Sequence, residues 1–301
     1  MMGVKVSICS PTYNNVSEVE RMLKSIYEQD YTDFEVNISD DSTNDEICNM
    51  VRAKYPQVNY IHNKTPLGHI FNWNAAVKMA KGEYIKIMFS DDWFTDSTCL
   101  GKFVELLDKN PEVLLAFSGS RQVMLDKDMD YYDRKAEDEF ISRLNKDYRL
   151  LFLGNQIGAP SAVIYRRYKD GSMALFDEKS NWASDMYLYF ELLRVQNRYA
   201  WTDKPLISIG VHEHQYTESF TKKDMRIYND YKYMFEKYGL SQSKECREYF
   251  AYNFIVKYNQ GVGEAIRLGI GVTLYFRKWF YELFDSIRCF VRCRLNRVMK
   301  K

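Results

Sequence analysis

The first 118 residues of the chain alternate between two hydrophobic periods, and that alternation leaves few folds open to it. Short apolar runs at 4–9, 34–39, 58–62, 84–89 and 113–117 have the length and β-branched or aromatic content of strands. Between them, Val19, Met22, Leu23, Ile26 and Tyr27 fall on one helix face, and Ile70, Trp73, Asn74, Val77 and Ala80 on another. Strand, helix and strand repeated with short connections predicts an α/β fold, a mostly parallel sheet wrapped by helices. Right-handed crossovers then place the loop after each strand on one edge, where ligands of such sheets bind.

Beyond this region the pattern is less regular. Residues 120–140 form a polar stretch carrying Asp126, Asp128, Asp130, Asp133, Glu137, Asp138 and Glu139, which reads either as a solvated excursion or as a loop over an acceptor. A helix over 142–153, a strand over 161–165, a helix over 184–195 and a strand over 205–210 are expected next, then helices over 222–238 and 244–258. The expected division is a nucleotide-binding domain over 1–217 and a C-terminal helical region over 218–301.

Two carboxylate pairs and one ring mark the carboxyl edge. The first strand runs into Pro11-Thr12-Tyr13-Asn14, the second into Asp40-Asp41, and the fourth into Ser90-Asp91-Asp92. Isolated charges are too costly to bury unpaired, so Asp91 and Asp92 either face solvent or sit beside a cation. A flat ring, a carboxylate acceptor and a cation site together suit a nucleoside diphosphate: base on Tyr13, base N–H to a carboxylate, cation on the diphosphate. Further along, Asp185 opens a helix of apolar period (Met186, Tyr189, Phe190, Leu193), where an acidic side chain ordinarily complements the helix dipole. The turn at 154–161 lacks the Lys-Ser/Thr ending of a phosphate-cradling loop. His212 and His214 lie two apart after a strand, while His62 and His69 read as structural.

These stretches resemble family 2 glycosyltransferases. The resemblance is carried by Val6–Asn14, Phe34–Thr43, Asn72-Trp73-Asn74-Ala75-Ala76, Ala80–Ile85 and Ser90-Asp91-Asp92, and extends over about residues 4 to 217. It implies a GT-A fold and an inverting, metal-dependent transfer from a nucleoside-diphosphate sugar to a saccharide or lipid-linked acceptor, in surface-polysaccharide assembly. It further implies that Asp41, Pro11, Tyr13 and Asn14 hold the base. Asn74 would lie near the diphosphate, Asp91 would meet the ribose or cation, and Asp92 would bind Mn²⁺ or Mg²⁺. His212, with Gln215 in support, would add a metal or phosphate contact. Pro160 and Ser161 would lie near the sugar, and Asp185 would take the acceptor's proton. Gly82 is expected to end its helix in the left-handed conformation. A sugar-nucleotide-binding scaffold without catalysis is the alternative of another class. A nucleotidyltransferase would call for a Gly-rich, basic first loop, which Pro11-Thr12-Tyr13-Asn14 is not.

Charge bears on partners. With 42 Lys and Arg against 41 Asp and Glu the net charge is +1, which argues against a nucleic-acid binder. Residues 268–301, however, hold eight basic residues against Glu282 and Asp285, a local +6 that leaves about −5 elsewhere. Phe276, Phe280, Leu283, Phe284, Ile287 and Val291 share one helix face there, in a run too short to span a membrane. The tail is therefore either a docked terminal helix or an amphipathic helix on an anionic membrane surface. No signal peptide is read at the N-terminus, and the six cysteines show no zinc or redox spacing. A cytoplasmic protein with free thiols is expected, peripheral on the inner face of the membrane under the second reading of the tail.

Overall fold

The computed structural model describes residues 3–211, 220–221 and 223–298. The chain divides into two compact units, Met1–Leu151 with Asn155–Ser219, and Phe152–Gly154 with Phe220–Lys301.

The first unit is built on a nine-stranded sheet. Its elements are β1 (Val6–Thr12), α1 (Val16–Tyr27), β2 (Phe34–Asp40), α2 (Glu46–Lys54), β3 (Asn59–His62), α3 (His69–Lys78), β4 (Tyr84–Ile87), β5 (Asp92–Phe94), α4 (Cys99–Asp108), β6 (Leu115–Met124), β7 (Tyr131–Arg134), α5 (Asp138–Leu144), β8 (Val163–Arg166), α6 (Ser184–Val195) and β9 (Tyr199–Val211). The order across the sheet is β3-β2-β1-β4-β8-β6-β9-β5, with β7 on β6. Parallel pairing joins β1, β2, β3 and β4, and again β6 and β9, while β8, β5 and β7 run opposite to their neighbours. Tracing directions through these pairs leaves six strands pointing one way, so the carboxyl edge expected from the periodicity exists.

Every residue of β1 is buried, as a strand covered on both faces must be. Val19, Met22, Leu23 and Ile26 of α1 pack over Val6 and Ile8, together with Phe103 and Leu107 of α4. Fully burying one such side chain stabilises by about 1.5–3 kcal/mol, so the stripe spaced three and four apart fixes α1 to the sheet. Gly82 departs from expectation. It does not adopt the left-handed conformation. A Cβ there would lie 2.7 Å from the Ser7 nitrogen, so the glycine permits close approach to β1. The Gly82 and Lys81 amides both donate to Ser7 Oγ, at 2.8 and 3.0 Å.

Within the polar stretch at 120–140, β6 continues to Met124 and returns as β7, a hairpin whose β7 side chains are all exposed. The expected helix over 142–153 is displaced: α5 ends at Leu144, and Tyr148–Leu153 is a 3₁₀ segment.

The second unit is helical: α7 (Met225–Lys237), α8 (Lys244–Phe250), α9 (Val262–Arg267) and α10 (Val272–Val298). The single helix expected over 244–258 is α8 followed by a π-helical turn, Ala251–Val256. Aromatic rings form its core, with Tyr231 stacked on Phe254 at 4.2 Å and Phe235 on Phe250 at 4.6 Å. Such pairs contribute about 0.5–1.5 kcal/mol each beyond the area they bury. Cys9, Cys48, Cys99 and Cys246 are buried thiols outside any disulfide.

Candidate active site

The loops after β1 and β2 are tied together first. Asn14 is left-handed at φ 52°, a conformation asparagine tolerates. Its amide donates to Ser42 Oγ at 2.8 Å, and its side-chain oxygen accepts from the Thr43 amide at 3.0 Å. The turn leaves the Tyr13 ring 57% exposed at the carboxyl edge. Pro11, which cannot donate to a ladder, lies beyond the four residues of β1 that pair with β4.

The adjacent carboxylates of Asp40 and Asp41 have separate duties, because successive side chains of an extended segment point to opposite sides. Asp40 is buried and accepts from Thr12 Oγ1 (2.8 Å), the Ser42 amide (3.0 Å), Ser42 Oγ (2.6 Å) and Tyr60. It is a structural acceptor. Asp41 accepts one bond on each oxygen, from Asn63 Nδ2 and from the Gly68 amide, both at 2.9 Å. Each carboxylate oxygen has a second lone pair, so Asp41 keeps acceptor capacity for a ligand N–H. His62 is structural as expected, with Nε2 at 2.9 Å from the Ser42 carbonyl oxygen.

The β1 loop also reaches the third strand end, since Asn15 Nδ2 donates to Ser90 Oγ at 2.7 Å. Asp92 opens β5, paired with Ile209 of β9, and is only 2% exposed. Its Oδ1 is buried without a hydrogen-bond partner. Burial, then the charge of Asp91, push the Asp92 carboxyl well above the usual range, opposed by Ser161, Lys86 and the Gly210 amide. Lys86 lies fully buried on β4, donating to the carbonyl oxygens of Ile87 (2.8 Å) and Ser161. Burial lowers its ammonium to about 7, with the Asp92 charge opposing. Arg21 of α1 stacks on the Trp93 ring at 4.2 Å and donates to the Asp91 carbonyl oxygen at 3.1 Å. Gly210 is required here, because a Cβ on it would lie 2.6 Å from that same oxygen. The 90–92 loop is thus held by scaffold groups that carry no motif of their own.

The segment from Asn155 to Ser161 connects this loop to Asp185. Ser161 Oγ accepts from the Phe89 amide at 2.9 Å, and its hydroxyl faces Asp92. Asn155 Nδ2 donates to Asp185 Oδ2 at 2.6 Å and to the Gly158 carbonyl oxygen at 3.1 Å, while Asn155 Oδ1 accepts from the Gly158 amide at 3.1 Å. The Met186 amide donates to Asp185 Oδ1 at 2.7 Å. Burial pushes the Asp185 carboxyl up to about 6 against these donors and the charge of Arg134. Ser161 follows Asn155 by six positions, a span of at most about 21 Å of extended chain.

Contacts therefore run along the edge from Asp41 through the β1 loop to Ser90–Asp92 and Ser161, and the chain from Ser161 back to Asn155 leads on to Asp185. Asn74 also serves the scaffold. It is buried, and its amide clamps the Phe176 main chain with two bonds of 2.9 Å. His212 and Gln215 lie outside the described residues. Sequence reasoning missed Asn15, Asn63, Asn155, Lys86, Arg21 and Gly210. Of these, Lys86 alone left a signal, a cation inside the apolar run Tyr84–Phe89.

Comparison with known proteins places the chain. Residues 7–172, just over half of it, match the family described as Glycosyl transferase family 2. A GalNAc(5)-diNAcBac-PP-undecaprenol beta-1,3-glucosyltransferase of Campylobacter jejuni is 28% identical, over 64% of this chain and 74% of the relative. The chain spans about half the length of the first curated relatives it matches. In fold it resembles S. aureus TarS in complex with UDP-GlcNAc (TM-score 0.62, 19% identity, 94% of this chain and 81% of that one). It also resembles the mannosyltransferase PcManGT of Pyrobaculum calidifontis in complex with GDP-Man and Mn²⁺ (TM-score 0.55, 20% identity, 78% and 64%). With its GT-A fold and this match, the chain belongs to glycosyl transferase family 2.

Proposed function

We propose that the chain is an inverting glycosyltransferase that moves a sugar from a nucleoside-diphosphate sugar to a saccharide or lipid-linked acceptor in surface-polysaccharide assembly. The observation that carries this reading is that hydrogen bonds tie the loops after β1, β2 and β4 into one edge, and that the 155–161 segment bonds to both the Asp92 loop and Asp185. The activity for which the Campylobacter relative is named supports a lipid-linked acceptor, and the UDP-GlcNAc and GDP-Man complexes support the donor class.

The chain's own groups divide the work. Tyr13 offers its ring to the base, and Asp41 accepts a base N–H while Asn63 and Gly68 hold its carboxylate in place. Asp185, at about 6, is roughly nine-tenths ionised at pH 7 and yet basic enough to accept a proton, the compromise a general base requires. As the acceptor oxygen bonds to the anomeric carbon, its proton passes to Asp185. The bond to the diphosphate breaks with its electron pair on the departing oxygen. One displacement from the opposite face inverts the anomeric centre.

A divalent cation fits Asp92. The carboxylate is buried, carries an oxygen without a partner, and is burdened by the Asp91 charge, all of which a cation offsets. One or two carboxylates completed by substrate phosphates is the ordinary protein side of a magnesium or manganese nucleotide site. Bound there, with Asp91 and His212 as further candidate ligands, the ion would act as a Lewis acid toward the leaving diphosphate.

The test is Asp185→Asn. Turnover should fall by about 10²–10⁴ while sugar-nucleotide affinity stays within about twofold. Unchanged turnover removes the base assignment, and a wild-type protein that binds donor without turnover favours a binding scaffold.

A further inference from the structure

We propose that α10 is a membrane-docking helix that lies in the surface of an anionic bilayer through an aromatic stripe turned away from its own unit. Three positions of α10 contact the rest of its unit, although Tyr281 stays 59% exposed. Tyr275 donates from its hydroxyl to the Gln260 carbonyl oxygen at 3.3 Å, the Tyr281 ring meets Tyr252 edge-on at 5.4 Å, and Lys278 reaches Glu248 at 4.0 Å. At 100° per residue these three centre on one side of the helix, and Phe276, Trp279, Phe280, Leu283, Phe284 and Ile287 centre on the other. All six are 41–60% exposed. An isolated exposed leucine or phenylalanine is ordinary, but six on consecutive turns of one helix face form a contiguous apolar patch.

Charge selects the occupant. Arg277 and Arg288 lie at the edge of the stripe, in a segment whose net charge is +6 against about −5 for the rest of the chain. Arg277 is engaged by Glu248 at 2.9 Å, and Asp285 falls on the side opposite the stripe. A second copy of this chain would bring the same cationic flank against itself, whereas anionic headgroups neutralise it. Trp279 and the phenylalanines suit the boundary between headgroups and acyl chains. None of the helices among the described residues is long and apolar enough to cross a membrane, so the contact is in-plane. Nothing in this proposal depends on the role given to Asp185.

The experiment is co-sedimentation of the full chain with vesicles of phosphatidylcholine alone and of phosphatidylcholine with one quarter phosphatidylglycerol. Wild type should pellet with the anionic vesicles only, and release in high salt. Phe280→Glu with Phe284→Glu should abolish pelleting. Arg288→Gln with Arg292→Gln should weaken it about fivefold per charge removed. Phe280, Phe284 and Arg288 are exposed, so thermal melting should match wild type; if the glutamate pair melts early, the arginine pair and the salt series decide the matter. The proposal is overturned if wild type fails to pellet with anionic vesicles, or if the variants pellet as well as wild type. It is equally overturned if α10 instead mediates a dimer that Phe280→Glu dissolves while vesicles remain unbound.

Discussion

Replacing Asn155 with Leu should move the acidic limb of the pH–rate profile upward without lowering the alkaline plateau. Asn155 donates to Asp185 at 2.6 Å and holds its carboxyl down toward about 6, against the burial that raises it. A hydrogen bond to a charged group contributes about 1.5–3 kcal/mol, and 1.36 kcal/mol corresponds to about one pKa unit. The Met186 amide and the Arg134 charge remain in the variant, so the shift should be at the lower end, about one unit. A base moved from about 6 to about 7 is about one-tenth rather than one-half ionised at pH 6, a loss of about fivefold, yet more than nine-tenths ionised at pH 8 in wild type and variant alike. The measurement is kcat/KM for nucleotide release between pH 5 and 9, which reports groups of the free enzyme. Asn155 also closes the Gly158 turn, so Asn155→Ser, which can restore a donor, provides a control with a smaller shift. An equal loss at every pH would mean Asn155 acts only through the turn. An unmoved limb would mean Asp185 is not the group that titrates.

Other consequences are more local. Gly210→Ala should lower kcat and the melting temperature together, since its Cβ would force the Asp91 carbonyl from a position 2.6 Å away; a variant with wild-type turnover would contradict the role given to that contact. Tyr13→Ala should weaken donor binding by about threefold to tenfold, the equivalent of one lost ring contact, with kcat nearly unchanged when calorimetry and steady-state rates are compared. Lys86 titrates near 7 folded and 10.5 unfolded, so between these values the unfolded chain binds more protons and stability should rise with pH. Thermal melts from pH 7 to 9 should show that rise, and Lys86→Met should flatten it relative to wild type; identical slopes would refute the buried-lysine reading.

What could be read from sequence divides along physical lines. The parallel half of the sheet was legible because each of its strands is a short apolar run bounded by polar turns, and α1 because its buried side recurs at three and four residues. The hairpin of β6 and β7 was hidden, since an exposed strand such as Tyr131–Arg134 has no apolar side to alternate. The π-helical turn after α8 was hidden for another reason: its apolar spacing nearly matches that of the helix it follows. Within the candidate site, Asp41, Asp92 and Asp185 were proposed from residue type and position. Their partners were not, because Asn63, Asn155 and Gly210 are defined by what they approach across long sequence separations. Asn74 has a partner that its motif does not announce. It lies in a motif of the family, but its amide is committed to the Phe176 backbone.

A structure of the chain with a bound sugar nucleotide, chosen by thermal-shift screening with and without manganese, tests the central claim most directly. The account predicts the base between Tyr13 and Asp41, the diphosphate beside Asp92, and the face of the anomeric carbon opposite the diphosphate open toward Asp185. A donor seated away from Asp41, or with that face turned from Asp185, would contradict it.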